Sequence, residues 1–313
     1  MIGIDVGGAN LKVVDRNGVH IHYCPLWENA PITSLLEQHI TGMDEMAAVV
    51  MSGELADCFE NKVQGITFIV AAVRRAFPKA RFYGIDGEFH NTAVPQLAAA
   101  NWLASADILR QKYPRSVLLD IGSTTADIIP LGRFNELLGL TDLARLQKGF
   151  LLYTGMLRTN IATHLHSVEL DGIRTPVSTE YFATSADAHL VLGTILPEQY
   201  SCDTPDRKEN TREACLRRLA RVVCADLDEI GEAGAIAIAR QFEQYQSAMV
   251  CDAVRKCADS SHADGIVVAG IGASVFAREL GGRDLTAELG PVADALPAFA
   301  VREIAIRDRE FSR

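Results

Sequence analysis

The chain has 313 residues, of which 48% are hydrophobic and 22% are charged. This length favours two domains, at about 100–200 residues per domain, and is ample for a buried core. The net charge of −10 argues against a nucleic-acid partner, because binding to phosphate backbones needs a basic surface. The apolar stretches are shorter than the roughly 20 residues of a membrane span, so we expect no membrane partner.

The N-terminus has neither the basic nor the apolar segment of a signal peptide. The seven cysteines include no Cys-x-x-Cys pair, which favours reduced thiols. Both observations predict a cytoplasmic protein.

The first half of the chain alternates short apolar strands with helical patterns. Ile2–Val6 predicts a buried strand ended by glycines, and Asn17-Gly18 predicts a tight hairpin turn. The predicted elements up to residue 113 are strands at 2–6, 11–14, 19–23, 47–51 and 81–86 and helices over 58–77 and 92–113.

The second half begins with the same kind of unit as the first. A strand over 116–122 is followed by a polar turn and a second strand over 126–131. Further on, the patterns predict a loop over 201–211, helices over 211–230 and 234–258, a strand at 265–269, a helix from 275, and a last helix over 290–306 disturbed by Pro297.

The two halves share one motif, an apolar strand with an aspartate near its end, then a glycine and a small polar turn. Asp5 and Asp120 occupy matching positions. A carboxylate at the carboxyl end of a strand can hold Mg²⁺, and the following loop can bind phosphate through its backbone. The predicted phosphate-binding residues are Gly7, Gly8, Asn10, Gly122, Ser123, Thr124 and Thr125.

A third motif, Gly270-Ile-Gly272-Ala-Ser274, follows a buried strand and precedes a helix. Alone it is a weak signal. Downstream of the two aspartate units, it predicts that Gly270, Gly272 and Ser274 contact a nucleotide or another flat ring.

These three motifs, in this order, resemble the two phosphate motifs and the adenosine motif of the actin-like ATPase superfamily. The resemblance implies an α/β fold of two duplicated ribonuclease H-like domains around a central cleft. We draw the domains at 1–113 and 114–313, with the last helix free to pack back on the first. The resemblance also implies Mg²⁺ at Asp5 and Asp120, with ATP as a second ligand to consider.

The chain is also similar to hydantoinase/oxoprolinase-related proteins of tetrahydromethanopterin-linked C1 transfer. This resemblance lies in four segments, which start at Met1, Val50, Asp120 and Tyr181. That family includes archaeal enzymes of methanofuran biosynthesis. The resemblance implies a Mg²⁺-dependent transferase that joins an aminomethylfuran diphosphate to the phenol of a tyramine- or tyrosine-type acceptor and releases diphosphate. The partners would be these two small-molecule substrates.

A departing diphosphate and a phenol nucleophile need charged groups near them. Lys12 is a candidate contact for the leaving group, and a solvated strand lysine is an equal alternative. A phenol with a pKa near 10 needs a base. The candidates are Glu54, Asp57, Asp127, Asp187 and His189; we place Asp187 with Asp5, Asp120 and Lys12 in the predicted catalytic set.

Several alternatives stay open. An ATP-dependent small-molecule kinase is the main one, followed by a nucleotide-binding scaffold and an amide-ring hydrolase. The His20/His22 and His164/His166 pairs fit metal ligation, although exposed hairpin histidines are commoner. The acceptor's tail and the oligomeric state, a homo-oligomer included, are left open.

Overall fold

The computed structural model describes residues 1–28, 30–42 and 46–308. The chain folds into two compact units. Unit 1 comprises Met1–Ser116, Pro130–Lys148 and the chain from Thr286, and unit 2 comprises Val117–Ile129 and Gly149–Leu285. This division differs from a single boundary after residue 113, because the segment 130–148 belongs to unit 1. The C-terminal segment also belongs to unit 1, a return to the first domain that the expected division allowed.

The described strands are short and mostly apolar. They are β1 Ile2–Val6, β2 Asn10–Asp15, β3 Gly18–Tyr23, β4 Ala47–Met51, β5 Arg81–Tyr83, β6 Phe89–His90, β7 Ser116–Ile121, β8 Ala126–Pro130, β9 Leu151–Leu152, β10 Ser167–Leu170, β11 Ile173–Pro176, β12 Gly265–Ala269 and β13 Arg283–Asp284.

The described α-helices vary widely in length. They are α1 Ile32–Glu37, α2 Lys62–Ala76, α3 Asn101–Leu109, α4 Phe134–Leu137, α5 Asp142–Lys148, α6 Ser185–Leu192, α7 Arg212–Arg221, α8 Leu227–Ser261, α9 Ala273–Leu280, α10 Thr286–Leu289 and α11 Leu296–Arg307.

Unit 1 is built on a sheet of six described strands in the order β3-β2-β1-β4-β5-β6. β1, β4 and β5 pair in parallel, whereas β2 pairs antiparallel with β1, β3 with β2, and β6 with β5. The core lies among the apolar side chains of these strands and of α2, for example Ile4, Val49 and Ile69. The last helix, α11, packs against β1, β4 and α3. β1 and β4 are parallel neighbours, so their carboxyl ends lie at the same edge of the sheet.

Unit 2 is built on a sheet of five described strands in the order β13-β12-β7-β8-β9. Its core joins the buried faces of β7 and β8 to α6, α7 and α8, with Leu119, Leu219 and Phe242 fully buried. β10 and β11 form a separate hairpin. The predicted α/β class is therefore confirmed in both units.

The helix predicted over 92–113 is wrong in extent. The structure has a 3₁₀ turn at Pro95–Leu97 and then α3. Between them Ala98 is extended and Ala99 has φ of 48°, which lets the N–H of Ala100 donate to the carbonyl of Met51 at the end of β4. This tertiary contact outweighs the alanine-rich local preference for helix.

The last helix also differs from its prediction. Pro297 does not disturb α11 but lies in its first turn, where the missing N–H costs no hydrogen bond. The residues before it, Gly290–Ala295, form a 3₁₀ segment.

All seven cysteines are free thiols. Across the part of the chain that the structure describes, no helix combines the length and apolarity needed to cross a bilayer.

Candidate functional site

The loop after β1 holds the residues predicted to bind phosphate in unit 1. The N–H of Gly7 donates to the carbonyl of Asn10 at 3.0 Å and closes a half-buried turn. A side chain at Gly8 would meet no atom within 4 Å, so the backbone there can be approached closely. Turns of this kind bind anions through their N–H groups.

The turn after β4 supports this loop from the neighbouring strand. Ser52 and Gly53 both donate their backbone N–H to the carbonyl of Val6, at 3.0 and 3.1 Å. A Cβ at Gly53 would lie 2.8 Å from the carbonyl oxygen of Gly7, so only glycine permits this approach. The sequence contained a signal for this contact, a Ser-Gly pair directly after a buried strand, but sequence reasoning did not identify it.

Asp5 points from β1 into a nearly solvent-free environment, with 4% of its surface exposed. Its Oδ1 has no hydrogen-bond partner among the described residues. Burial raises the pKa of this carboxyl to about 6, and the positive charge of Lys12 partly offsets the rise. Lys12 is directly opposite Asp5 in the β1–β2 register. The structure therefore brings these two predicted residues together.

Glu54, in the turn after β4, is a second buried carboxylate of unit 1. It is 2% exposed, and its Oε2 has no hydrogen-bond partner among the described residues. Burial raises its pKa, and the negative charge of Asp142 adds to the rise. A carboxylate in this state takes up a proton more readily than an exposed one.

Unit 2 repeats the loop of unit 1. The N–H of Gly122 donates to the carbonyl of Thr125 at 3.0 Å, the counterpart of the Gly7–Asn10 bond. The loop is half-buried, as is Asp120 at the end of β7, and the hydroxyl oxygens of Ser123 and Thr124 lie 3.3 Å apart. The repeat seen in the sequence is thus a repeat of backbone geometry.

The segment after β9 supports the loop of unit 2. Met156 donates its backbone N–H to the carbonyl of Gly122 at 2.9 Å, and Arg158 donates to that of Ser123 at 3.0 Å. A Cβ at Gly155 would lie 2.6 Å from the backbone nitrogen of Thr124. The sequence did not reveal this support, because nothing in the pattern of this segment shows which loop it touches.

The third motif lies against the same strand end in unit 2. Gly270 has φ of +86°, and a Cβ there would lie 2.8 Å from Oδ1 of Asp120. The N–H of Gly272 donates to the carbonyl of Ile121 at 3.3 Å, and Ser274 is exposed on the first turn of α9. Unit 2 therefore collects Asp120, its loop and this motif in one place.

Asp187, another predicted catalytic residue, is fully buried at the start of α6. Its Oδ1 accepts hydrogen bonds from Nε of Arg218 at 2.8 Å and from the hydroxyl of Tyr200 at 3.1 Å. Its Oδ2 accepts the backbone N–H of Thr184 at 2.9 Å, as part of a helix-capping box. Every oxygen of this carboxylate has a protein partner.

His189 belongs to the same buried region. Its Nε2 lies 2.8 Å from Oε1 of Gln246, and Nε2 of Gln246 donates to Oγ1 of Thr154 at 2.8 Å and to the carbonyl of Gly155 at 2.9 Å. Burial lowers the pKa of His189 to about 4. His189 is thereby connected to the segment that supports the loop 122–125 of unit 2.

The other candidate residues are dispersed. Asp57 is exposed, and Asp127 is half-buried on β8. The His164/His166 pair does not form a common site: Nε2 of His164 lies 2.9 Å from Oγ1 of Thr154, whereas His166 is exposed.

Comparisons with known proteins place these features in a family. The chain is 32% identical, over 97% of its length and 97% of the relative's, to the (4-{4-[2-(gamma-L-glutamylamino)ethyl]phenoxymethyl}furan-2-yl)methanamine synthase of Methanocaldococcus jannaschii. A protein of the same name from Methanococcus vannielii is 36% identical over 55% of this chain and 78% of that one.

A solved nucleotide-free structure of acetone carboxylase shares the fold. It superposes with a TM-score of 0.53 at 11% identity and covers 96% of this chain and 69% of that one. The predicted actin-like class of fold is confirmed. Residues 45–301 match the hydantoinase/oxoprolinase family model, and the chain belongs to the hydantoinase/oxoprolinase family.

Proposed function

We propose that this protein is a transferase of furan-cofactor biosynthesis that joins an aminomethylfuran diphosphate to a phenol and releases diphosphate. The observation that carries this proposal is the 32% identity over 97% of both chains to a synthase whose name describes such a phenoxymethylfuran product. The same name suggests γ-glutamyl-tyramine as the phenol.

The proposed step exchanges one carbon–oxygen bond for another. The phenol oxygen bonds to the furan methylene carbon while the bond from that carbon to the diphosphate oxygen breaks. The bonding electron pair leaves with diphosphate, and the phenol proton passes to a base. The rate therefore depends on stabilising the leaving group's charge and on accepting one proton.

Asp5 is suited to hold Mg²⁺. Its buried oxygen has no partner among the described residues, and carboxylate oxygens are the ligands that Mg²⁺ prefers. We assign Asp120 the same role within unit 2. The bound ion would neutralise negative charge on the leaving diphosphate.

The two glycine turns are the proposed phosphate-binding elements, each within its own unit. Gly7, Gly8 and Asn10 form one, and the loop 122–125 forms the other. Lys12, beside Asp5, adds a positive charge. Gly270, Gly272 and Ser274 are proposed to contact a flat ring of the substrate or of a nucleotide.

Glu54 is our choice for the general base. Its raised pKa and its oxygen without a partner among the described residues suit a group that must accept a proton. Asp187 and His189 have their polar atoms engaged in the buried network, so we assign them a positioning role for the segment at Gly155.

Replacing Glu54 by Gln should lower kcat by about 10²–10⁴-fold; an unchanged kcat would place the base elsewhere.

The deciding experiment mixes purified protein and Mg²⁺ with aminomethylfuran diphosphate and tyramine or γ-glutamyl-tyramine, without ATP. We expect diphosphate together with an ether whose mass is that of the two joined fragments. Asp5→Asn should lower the rate at least about 100-fold, whereas Asp259→Asn, at an exposed position of α8, should not. Turnover that appears only after ATP is added would overturn the transferase and support the kinase alternative.

A further inference from the structure

A group of histidines in unit 1 lies on the hairpin formed by β2 and β3. Asp15 ends β2, and His20 and His22 lie two residues apart on β3, so they share one face. His39 follows α1 and contacts the rings of both, with ring centroids 4.7 and 5.1 Å away. None of these residues takes part in the proposed transfer reaction.

Three of these residues offer donor atoms to one point in space. One ligand atom each of Asp15, His20 and His39 lies within 4.8 Å of the others, and this is the only group of metal-ligand type found among the described residues. Nε2 of His20 is 3.4 Å from Oδ1 of Asp15, and Nδ1 of His39 is 3.6 Å from Oδ2. Tetrahedral Zn²⁺ with bonds of about 2.0–2.1 Å separates its ligand atoms by about 3.4 Å.

The outer contacts also have the arrangement of a metal site. Nε2 of His39, the nitrogen that faces away from Asp15, lies 2.8 Å from Nε2 of His22. The backbone N–H groups of Asn17 and Gly18 donate to Oδ1 of Asp15 at 2.6 and 3.1 Å. Metal-bound histidines and carboxylates are usually oriented by such second hydrogen bonds.

Two of the three side chains are buried, which favours a metal site with fixed ligands over a cluster of solvated side chains. His39 is only 7% exposed, and the side chain of Asp15 is 5% exposed, whereas that of His20 is 35% exposed. The site therefore has a rigid inner side and an open side through which an ion and a water ligand can enter.

We propose that Asp15, His20 and His39 bind a divalent first-row transition ion of the Zn²⁺ type, with water as the fourth ligand and His22 as the hydrogen-bond partner of His39. Imidazole nitrogen suits Zn²⁺ rather than Mg²⁺, so this site is separate in chemistry from the proposed ion at Asp5. The ion would connect the edge hairpin to the end of α1.

The test is a Zn²⁺ titration of the full chain after EDTA treatment and removal of the chelator, against a chromogenic chelator. We expect one site per chain, lost in His20→Ala and in His39→Ala. His22→Ala should weaken binding by about 10–100-fold, the usual effect of removing an outer-shell partner. His166→Ala, at an exposed position of unit 2, should bind as the unchanged protein does.

Two results would overturn the site. One is a protein that shows no Zn²⁺ binding in the titration. The other is binding that is unchanged in His20→Ala, because Cys58 and Cys224 are exposed thiols that can hold Zn²⁺ adventitiously. His20 is the decisive position because its partly exposed ring can be removed without opening the core. Co²⁺ substitution gives a second readout: four-coordinate absorption bands should form in the unchanged protein and vanish in His20→Ala.

Discussion

Asp5 in unit 1 and Asp187 in unit 2 are both buried aspartates, but they differ in their partners. Asp187 accepts hydrogen bonds from Arg218, Tyr200 and the backbone of Thr184. Asp5 has an oxygen with no partner among the described residues, and burial raises its pKa to about 6. Burial alone therefore does not mark a functional carboxylate; the absence of protein partners around a buried charge is the more informative sign.

The largest loss of stability should come from replacing Asp187, the buried aspartate that is paired with Arg218. Replacing Asp187 by Ala leaves the guanidinium of Arg218, whose side chain is fully buried, without its main partner. Removing one member of a buried ion pair costs about 3–5 kcal/mol. Urea denaturation should show this loss of unfolding free energy. Glu213→Ala, which removes an exposed partner of Arg217, is the control and should cost at most about 1 kcal/mol.

His189 should make unit 2 sensitive to acid. Its folded pKa of about 4 lies below the ordinary 6.5, so the unfolded chain binds its proton first as the pH falls. The stabilisation is complete above pH 6.5 and should be lost progressively down to about pH 4, by roughly 3 kcal/mol in total. Unfolding curves of the unchanged protein and of His189→Gln across this range should converge toward low pH; parallel curves would contradict the buried neutral ring.

Asp5 should give the opposite pH dependence of stability over a similar pH range. Its folded pKa of about 6 lies above the ordinary 3.8, so its contribution is favourable below pH 3.8 and is lost as the pH rises through 6. In EDTA at pH 8, Asp5→Asn should therefore be more stable than the unchanged protein by on the order of 2–3 kcal/mol. The difference should vanish near pH 3.5.

Mg²⁺ gives a second test of the difference in stability between the unchanged protein and Asp5→Asn. Added Mg²⁺ should stabilise the unchanged protein and should have little effect on Asp5→Asn, because the proposed ligand is gone. Equal stability of the two proteins at pH 8 in EDTA would show that the carboxylate of Asp5 has partners in solution.

Much of the fold could be predicted from the sequence, because short continuous apolar runs identify buried strands. Ile2–Val6, Ala47–Met51 and Gly265–Ala269 have the bounds that their patterns indicate. The helical regions were less predictable, because contacts from elsewhere decide where they break. The pattern over 211–230 is interrupted after Arg221, and Gly231, with φ of 64°, kinks α8.

The sequence predicted candidate site residues only where a polar side chain follows a recognisable pattern at the end of a strand. Asp5 and Asp120 follow from the repeated motif. The role of Arg218 could not be read, because in the sequence it is one of several arginines in an amphipathic helix, and only folding shows that it alone reaches Asp187. The partners of Gly155 were hidden for the same reason.

The smallest expected loss of stability comes from Gly155, in the segment that supports the loop 122–125 of unit 2. A methyl group at Gly155 would lie 2.6 Å from the backbone nitrogen of Thr124, and because backbone cannot swing aside as a side chain can, the loop itself must shift. Gly155→Ala should cost about 1–3 kcal/mol of stability and should raise KM for the diphosphate substrate more than it lowers kcat. Gly42→Ala, where a Cβ meets nothing within 4 Å, is the matched control. If Gly155→Ala loses stability but keeps its KM, the segment after β9 supports the fold of unit 2 and not the proposed phosphate-binding loop, and the resemblance between the two glycine turns would then be one of backbone geometry alone.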